Sequence, residues 1–398
     1  MSATRFLYAE SGADGMGQWH LAIAQLIALA AKLSLILVEP CVLDGRLAPC
    51  LNDTEHLHDD SRKKHSPISN RGEVRPLSTY FDTAALRRKF QPRGSIIMLP
   101  FAEFVSQYNG SMLLQASRLV CTCKGCSGQC RSDSIIPGMS TAARTPAYLM
   151  KRVEGMPVLY LERYRFEYIH HTMLPRGTLA EARHAIRFAP ALEALGADLP
   201  RALGLPDQYL ALQWRSEGSS HDFSQCANAL IASKLAAEET LGLSRDGVAL
   251  LISDIPWNWN ASLWANAMNH MSSESRAHEA QQALRTLATA NLRKLDALPD
   301  MANADPGCLA VLDLILARRA VHLVACTTGS VPMLGAPNGA RSVSACDVCA
   351  RSVSLYAGWL VWLRPRNSTS QWLPLLAPRR TVREAQTDAV HRRGVRLP

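Results

Sequence analysis

Residues 209–217 read Tyr209-Leu210-Ala211-Leu212-Gln213-Trp214-Arg215-Ser216-Glu217, a short apolar run that ends on a cation and a polar turn. The run Tyr209 to Gln213, opened after Pro206, reads as a buried strand. Outward from it, a helix is expected over Cys226 to Leu241, a strand over Gly247 to Ile252, helices over Glu274 to Leu298 and Cys308 to Arg318, and a strand over Val321 to Cys326. Strands alternating with helices of this length predict a parallel sheet covered on both faces.

The amino-terminal half opens with a similar unit. Arg5 to Ala9 reads as a strand, Gln18 to Lys32 as a helix rich in Ala, Leu and Ile, and Leu33 to Val38 as a strand stopped at Pro40, which together make a βαβ unit. Strands are also expected at Ser95 to Leu99 and Val158 to Tyr160, and a helix over Thr178 to Leu195. Residues 51–76 turn polar without a period, and Cys121 to Pro137 is loop-like, so both read as surface excursions. A chain of 398 residues exceeds one ordinary core. The expectation is an α/β protein of two Rossmann-like lobes with parallel sheets and a cleft between them. Residues 1–190 form the first lobe, with insertions at 51–76 and 121–137. Residues 191–345 form the second, and 346–398 a carboxy-terminal helix and basic tail. The inter-lobe boundary falls between Phe188 and Pro206.

An apolar fraction of 47% and a charged fraction of 19% exclude a disordered chain. Much of the net charge of +9 comes from Arg62 to Lys64 and from the tail between Arg379 and Arg396. No aromatic residues interleave with it, so it reads as solvated surface rather than a nucleic-acid face. Met1 to Glu10 has no basic start followed by an apolar core, and reads as neither a signal peptide nor an anchor. The late apolar run Leu355 to Leu363 is far short of the ~20 residues a membrane helix needs. Membrane association is therefore not evident. Sequons at Asn52, Asn109, Asn260 and Asn367 favour a secretory lumen, while the amino terminus leaves a cytosolic compartment open.

Ligands of open parallel sheets sit beyond the carboxyl ends of the strands, so the informative residues follow each apolar run. Arg215 presents a planar fork of donors suited to two phosphate oxygens, or equally to a neighbouring carboxylate such as Glu217. After Val248 to Ile252 come Ser253 and Asp254, a carboxylate for a guanine edge or a ribose hydroxyl, or an ordinary cap. After Val321 to Cys326 come Thr327, Thr328, Gly329 and Ser330, small residues that allow close approach and donate to phosphate, or simply make a loop. Between the first strand and the first helix lies Ser11-Gly12-Ala13-Asp14-Gly15-Met16-Gly17-Gln18, where exposed amides and the helix dipole favour an anion. It has neither the dinucleotide spacing nor a Walker lysine.

In order and spacing these four stations resemble the GDP-fucose protein O-fucosyltransferase family and the wider GDP-fucose-dependent transferases of the GT-B fold. The likeness runs from about Arg5 to Ser330. It includes tracts similar to Tyr80-Phe81-Asp82 through Leu86 and Ile186-Arg187-Phe188-Ala189-Pro190, the latter leading to a strand that ends His-x-Arg in the family and Gln213-Trp214-Arg215 here. The resemblance implies that the first lobe faces the acceptor and the second holds the nucleotide sugar. It implies Arg215 as catalytic residue on the donor diphosphate, Asp254 for the guanine nucleoside, and Thr328, Gly329 and Ser330 for phosphate. Gly15, Gly17 and Gln18 correspond to the glycine-rich loop without its usual asparagine. The implied reaction is fucosyl transfer from GDP-fucose to a hydroxyl of a protein or glycan acceptor, with no cofactor required and no metal site. The acceptor hydroxyl must lose a proton, and Glu10, Asp14 and Glu217 are candidates for the base, with Asp14 first.

Four cysteines fall in Cys121-x-Cys123-x-x-Cys126-x-x-x-Cys130, among 11 in the chain. Their irregular spacing is open to a tetrahedral metal, to disulfides or to free thiols. A rival reading is therefore a catalytically degenerate nucleotide-binding protein or a Cys-rich metal-binding one.

Overall fold

A computed structural model describes residues 5–9, 16–43, 46–48, 50, 74–90, 98–108, 117–120, 151, 156–162, 174–214, 222–253, 255–257, 274–302 and 304–325. The chain divides into two compact units. The first joins Met1–Leu203 to Leu295–Arg319, and the second joins Gly204–Lys294 to Ala320–Pro398. Segment 295–319 thus belongs with the amino-terminal unit although it lies between two strands of the second.

The first unit is built on β1 (Phe6–Ala9), α1 (Met16–Leu33), β2 (Ile36–Val38), β3 (Cys41–Leu43), β4 (Arg46–Ala48), β5 (Arg75–Pro76), α2 (Thr83–Phe90), β6 (Met98–Leu99), α3 (Phe101–Tyr108), β7 (Ser117–Val120), β8 (Val158–Glu162), α4 (Arg176–Ala185) and α5 (Pro190–Ala202). Its main sheet has the order β6-β2-β1-β8-β7 with every pairing parallel. On one face Phe6, Tyr8, Val38, Leu99, Val158 and Tyr160 pack with Phe104 of α3. Residues 22–30 of α1, apolar except for Gln25, are all buried. A small antiparallel sheet, β4-β3-β5, follows β2, and a disulfide from Cys41 to Cys50 closes its hairpin.

The second unit comprises β9 (Leu210–Trp214), α6 (Phe223–Leu241), β10 (Ala249–Ser253), α7 (Glu274–Thr289) and β11 (Leu292–Arg293). After α8 (Pro306–Arg319), which belongs to the first unit, β12 (His322–Ala325) completes its sheet. The order is β11-β10-β9-β12, again wholly parallel. Leu210, Leu212 and Trp214 turn one face toward Phe223, Cys226 and Leu230 of α6 and Ala280, Leu284 and Leu287 of α7. Asp222 caps α6 by accepting from the Ser224 amide at 2.7 Å, and Gly242 ends it in the left-handed region at φ 66°. The expected α/β class with two parallel-sheet, Rossmann-like lobes is what the chain adopts.

Two expected helices differ. The helix read over Thr178 to Leu195 is two, α4 and α5, with an extended link between them. Pro190 forces its predecessor out of helical geometry, and the link pairs with Phe81 through Phe188 as an antiparallel bridge. Ala189 N–H donates to Tyr80 O at 2.9 Å and Asp82 N–H to Arg187 O at 3.0 Å, with the Phe81 and Phe188 rings stacked at 5.9 Å. The helix read over Glu274 to Leu298 stops at Thr289, because Asn291 takes a left-handed φ of 60° and turns the chain into β11.

Glu39, the residue after β2, is buried at 3% exposure and accepts from the Ser78 amide at 2.9 Å. Burial raises its pKa above the ordinary 4.5, against the opposing pull of the Ser78 amide, the Arg87 charge and the Ser78 and Thr83 hydroxyls. A raised folded-state pKa means the protonated carboxyl is the better-tolerated form, so this group's contribution to stability is full below the unfolded pKa. It is lost as pH rises through the folded one.

Helices α5 and α8 meet at Gly196, where an added Cβ would lie 2.6 Å from Ile315 Cγ2. Arg318 binds Glu193 at 2.6 Å beside this contact, and Arg319 donates to Gly196 O at 3.2 Å.

Gly196→Ala is expected to lower stability by about 1–3 kcal/mol through overpacking. Thermal melts of this variant and of its combination with Ile315→Ala check it, the pair losing less than the sum of the single changes. Glu39→Gln keeps the acceptor for Ser78 and removes the charge. Its melting temperature should exceed that of the unsubstituted protein at pH 8, with the gap closing as pH falls toward 4.5.

Candidate functional site

Strand order fixes where each sheet can take a ligand. From β1 the first sheet grows through β2 to β6 on one side and carries β8 and β7 on the other, so its order reverses beside β1. From β9 the second sheet grows through β10 to β11, and β12 returns to the opposite side of β9, so its order reverses there. Helices following two neighbouring strands in opposite directions leave a crevice beyond their carboxyl ends. Each unit therefore has its switch point at its own first strand.

In the first unit the chain leaves β1 at Ala9 and enters α1 at Met16. Gly17 and Gln18 belong to the first turn of α1, while Glu10, Asp14 and Gly15 lie outside the described residues. In the second unit Ser253 is the register partner of Trp214 and Ala325 that of Gln213, so β9, β10 and β12 end nearly level. Arg215, Glu217, Asp254, Thr328, Gly329 and Ser330, which follow these strands in the chain, lie outside the described residues, as do Cys121 to Cys130. The structure thus gives the strand ends that precede the candidates, and Ser253 Oγ holds the turn after β10 by accepting from the Ile255 amide at 3.1 Å. Gln213, where the resembled family has histidine, is buried. Alternation along a strand puts it on the opposite face of the sheet from Trp214.

Among the described residues of the first unit, Asp305 serves as a brace. Asp305 accepts from Tyr80 Oη at 2.8 Å and from the Cys308 amide at 2.9 Å, so one carboxylate oxygen caps α8 and anchors the Tyr80 tract. Burial first, and then the Asp305 charge, raises the Tyr80 phenol well above its ordinary value. The same causes push the Cys308 thiol up to about 11. A thiol so placed stays protonated at neutral pH and is a poor nucleophile. The residues of the two family-like tracts, Tyr80 to Asp82 and Arg187 to Ala189, are the ones that bond to each other. The Tyr80–Asp305 bond joins positions 225 residues apart and has no local sequence signal. The Cys41–Cys50 disulfide has a signal in the sequence, a separation of nine between two cysteines that flank a hairpin, which the sequence reading did not use. Among the described residues no group of three or more His, Cys, Asp or Glu side chains could hold a metal ion, and no helix is long and apolar enough to cross a membrane.

No protein-family model matches the sequence, and no curated protein matches it. Solved structures do. POFUT1 in complex with GDP-fucose is 11% identical, with 82% of this chain and 90% of that one covered at a TM-score of 0.43. NodZ alpha-1,6-fucosyltransferase co-crystallized with GDP is 10% identical, with 91% and 94% covered at 0.39. Fucosyltransferase NodZ from Bradyrhizobium is 9% identical, with 91% and 95% covered, also at 0.39.

Proposed function

We propose that the chain is a GDP-sugar glycosyltransferase that moves fucose from GDP-fucose to a hydroxyl of a protein or glycan. The observation that carries this reading is the end of β9. The second sheet reverses its strand order there, and the next residue in the chain is an arginine. Asp254 and Thr328 to Ser330 follow the two strands that flank β9. Three neighbouring strands thus lead into one cation, one carboxylate and a run of small hydroxylated residues, a set suited to a nucleoside diphosphate. The loop from Glu10 to Gly15 follows the other switch strand, which suits an acceptor-side carboxylate.

In the reaction the bond from the sugar's anomeric carbon to the diphosphate oxygen breaks, and its electron pair leaves with GDP. Negative charge grows on that oxygen as the bond lengthens. The Arg215 guanidinium neutralises it with two parallel charge-assisted hydrogen bonds, the service a metal ion performs in other transferases. The acceptor oxygen attacks the anomeric carbon and gives its proton to a carboxylate, for which Asp14 is the proposed base. Gly15, Gly17 and Gln18 shape the loop against the substrates, Asp254 takes the guanine nucleoside, and Thr328, Gly329 and Ser330 take phosphate. The Cys41–Cys50 disulfide fits maturation in an oxidising compartment, which favours the secretory lumen.

GDP and GDP-fucose should bind with micromolar-scale affinity. Arg215→Ala should weaken GDP binding by about 1.5–3 kcal/mol, the worth of a hydrogen bond to a charged group, with an unchanged circular dichroism spectrum. Isothermal calorimetry checks both, and a folded protein that binds no GDP would overturn the reading.

A further inference from the structure

Trp214, the last residue of β9, is 1% exposed, and its indole Nε1–H is buried without an acceptor among the described residues. Buried polar groups in native proteins are nearly always paired, so a donor left over calls for a cause. Its position supplies one, because Trp214 ends the strand beside which the second sheet reverses order. The indole stands edge-on to Phe223, the first residue of α6, with ring centroids 5.9 Å apart and planes at 69°. The helix end itself is already capped. Asp222 Oδ1 accepts from the Ser224 amide at 2.7 Å and Asp222 O from the Cys226 amide at 3.2 Å. The indole N–H takes no part in that capping. Phenylalanine would still present an aromatic ring to Phe223 without stranding an N–H group.

We propose that Trp214 Nε1–H donates to a phosphate oxygen of the nucleoside diphosphate bound at the carboxyl edge of the second sheet. The proposal rests on the nucleotide-sugar reading above and adds a neutral donor to the proposed Arg215. An indole nitrogen only donates and an ionised phosphate oxygen only accepts, so the pair is complementary. A bond to a charged acceptor is among the stronger ones. Guanosine alone, which has no phosphate, offers no such acceptor.

The test is an indole-15N spectrum of the full chain, in which the Trp214 cross-peak is identified by its loss in Trp214→Phe. GDP should move that cross-peak and guanosine should leave it in place. Trp214→Phe, with a cooperative melt confirming its fold, should bind GDP about tenfold or more weakly. GDP binding with an unmoved Trp214 signal, or an equal shift with guanosine, overturns the proposal alone. Absence of any GDP binding to the folded unsubstituted chain overturns the nucleotide reading and the proposal with it. Should Trp214→Phe fail to fold, selective labelling with 5-fluorotryptophan, assigned through the other tryptophans, gives the same readout on the intact chain.

Discussion

Parallel pairing is the constraint from which the architecture and the location of its chemistry both follow. A parallel neighbour can be reached only by carrying the chain back across the sheet, so all strands of a sheet start at one edge and finish at the other. The crossovers cover the faces, which is why Leu210 and Leu212 on one side of β9 and Ala211 on the other are all buried. With both faces closed, the carboxyl edge is where the segments after the strands converge. In this chain each sheet has its own such edge, and the strand order reverses at β1 in one and at β9 in the other.

Seven strands, β1, β2, β6, β8, β9, β10 and β12, were legible because short apolar runs bounded by turn residues have few other uses, whereas β3, β4, β5 and β7 carried no such run. The reading of Tyr209 to Gln213 differs from the observed Leu210–Trp214 by one residue at each end. Hidden were features decided by distant partners. The break at residues 186–189 depends on Phe81, about a hundred residues earlier in the chain, and only the proline at 190 announced it locally. β11 is two residues long, too short for a period, and exists because Asn291 turns the chain beside Ala249. The membership of α8 in the first unit was equally invisible, since its buried residues Val311, Leu312, Leu314, Ile315 and Leu316 would suit either core. Candidate site residues could be named from adjacency to a strand end, which is a property of the sequence once the strand is known. Trp214 could not, because an unpaired indole is a fact of packing.

Two carboxylates in the first unit, Glu39 buried and Asp305 half-buried, hold backbone in place. Glu39 accepts the Ser78 amide and Asp305 the Cys308 amide, and between them the Tyr80 tract pairs with residues 187–189. Each acid takes up an amide at the start of a helical turn, Ser78 in the short 3-10 turn Leu77–Thr79 and Cys308 in the first turn of α8. Aromatic contacts supply the apolar part of the brace, with Trp19 edge-on to Tyr80 at 5.9 Å and Arg318 over Phe188 at 5.9 Å.

The return of residues 295–319 to the first unit has a consequence for biosynthesis. Translation delivers a chain from its amino terminus at about 5–20 residues per second, so α8 leaves the ribosome many seconds after Leu203. During that interval the surface of α5 around Gly196, which α8 will cover with Ile315, is open, and Tyr80 has no Asp305 to bind. The amino-terminal unit is completed only after most of its neighbour has been made. Nascent chains of this protein therefore present an unfinished apolar groove to the folding machinery for longer than a contiguous domain of equal size would.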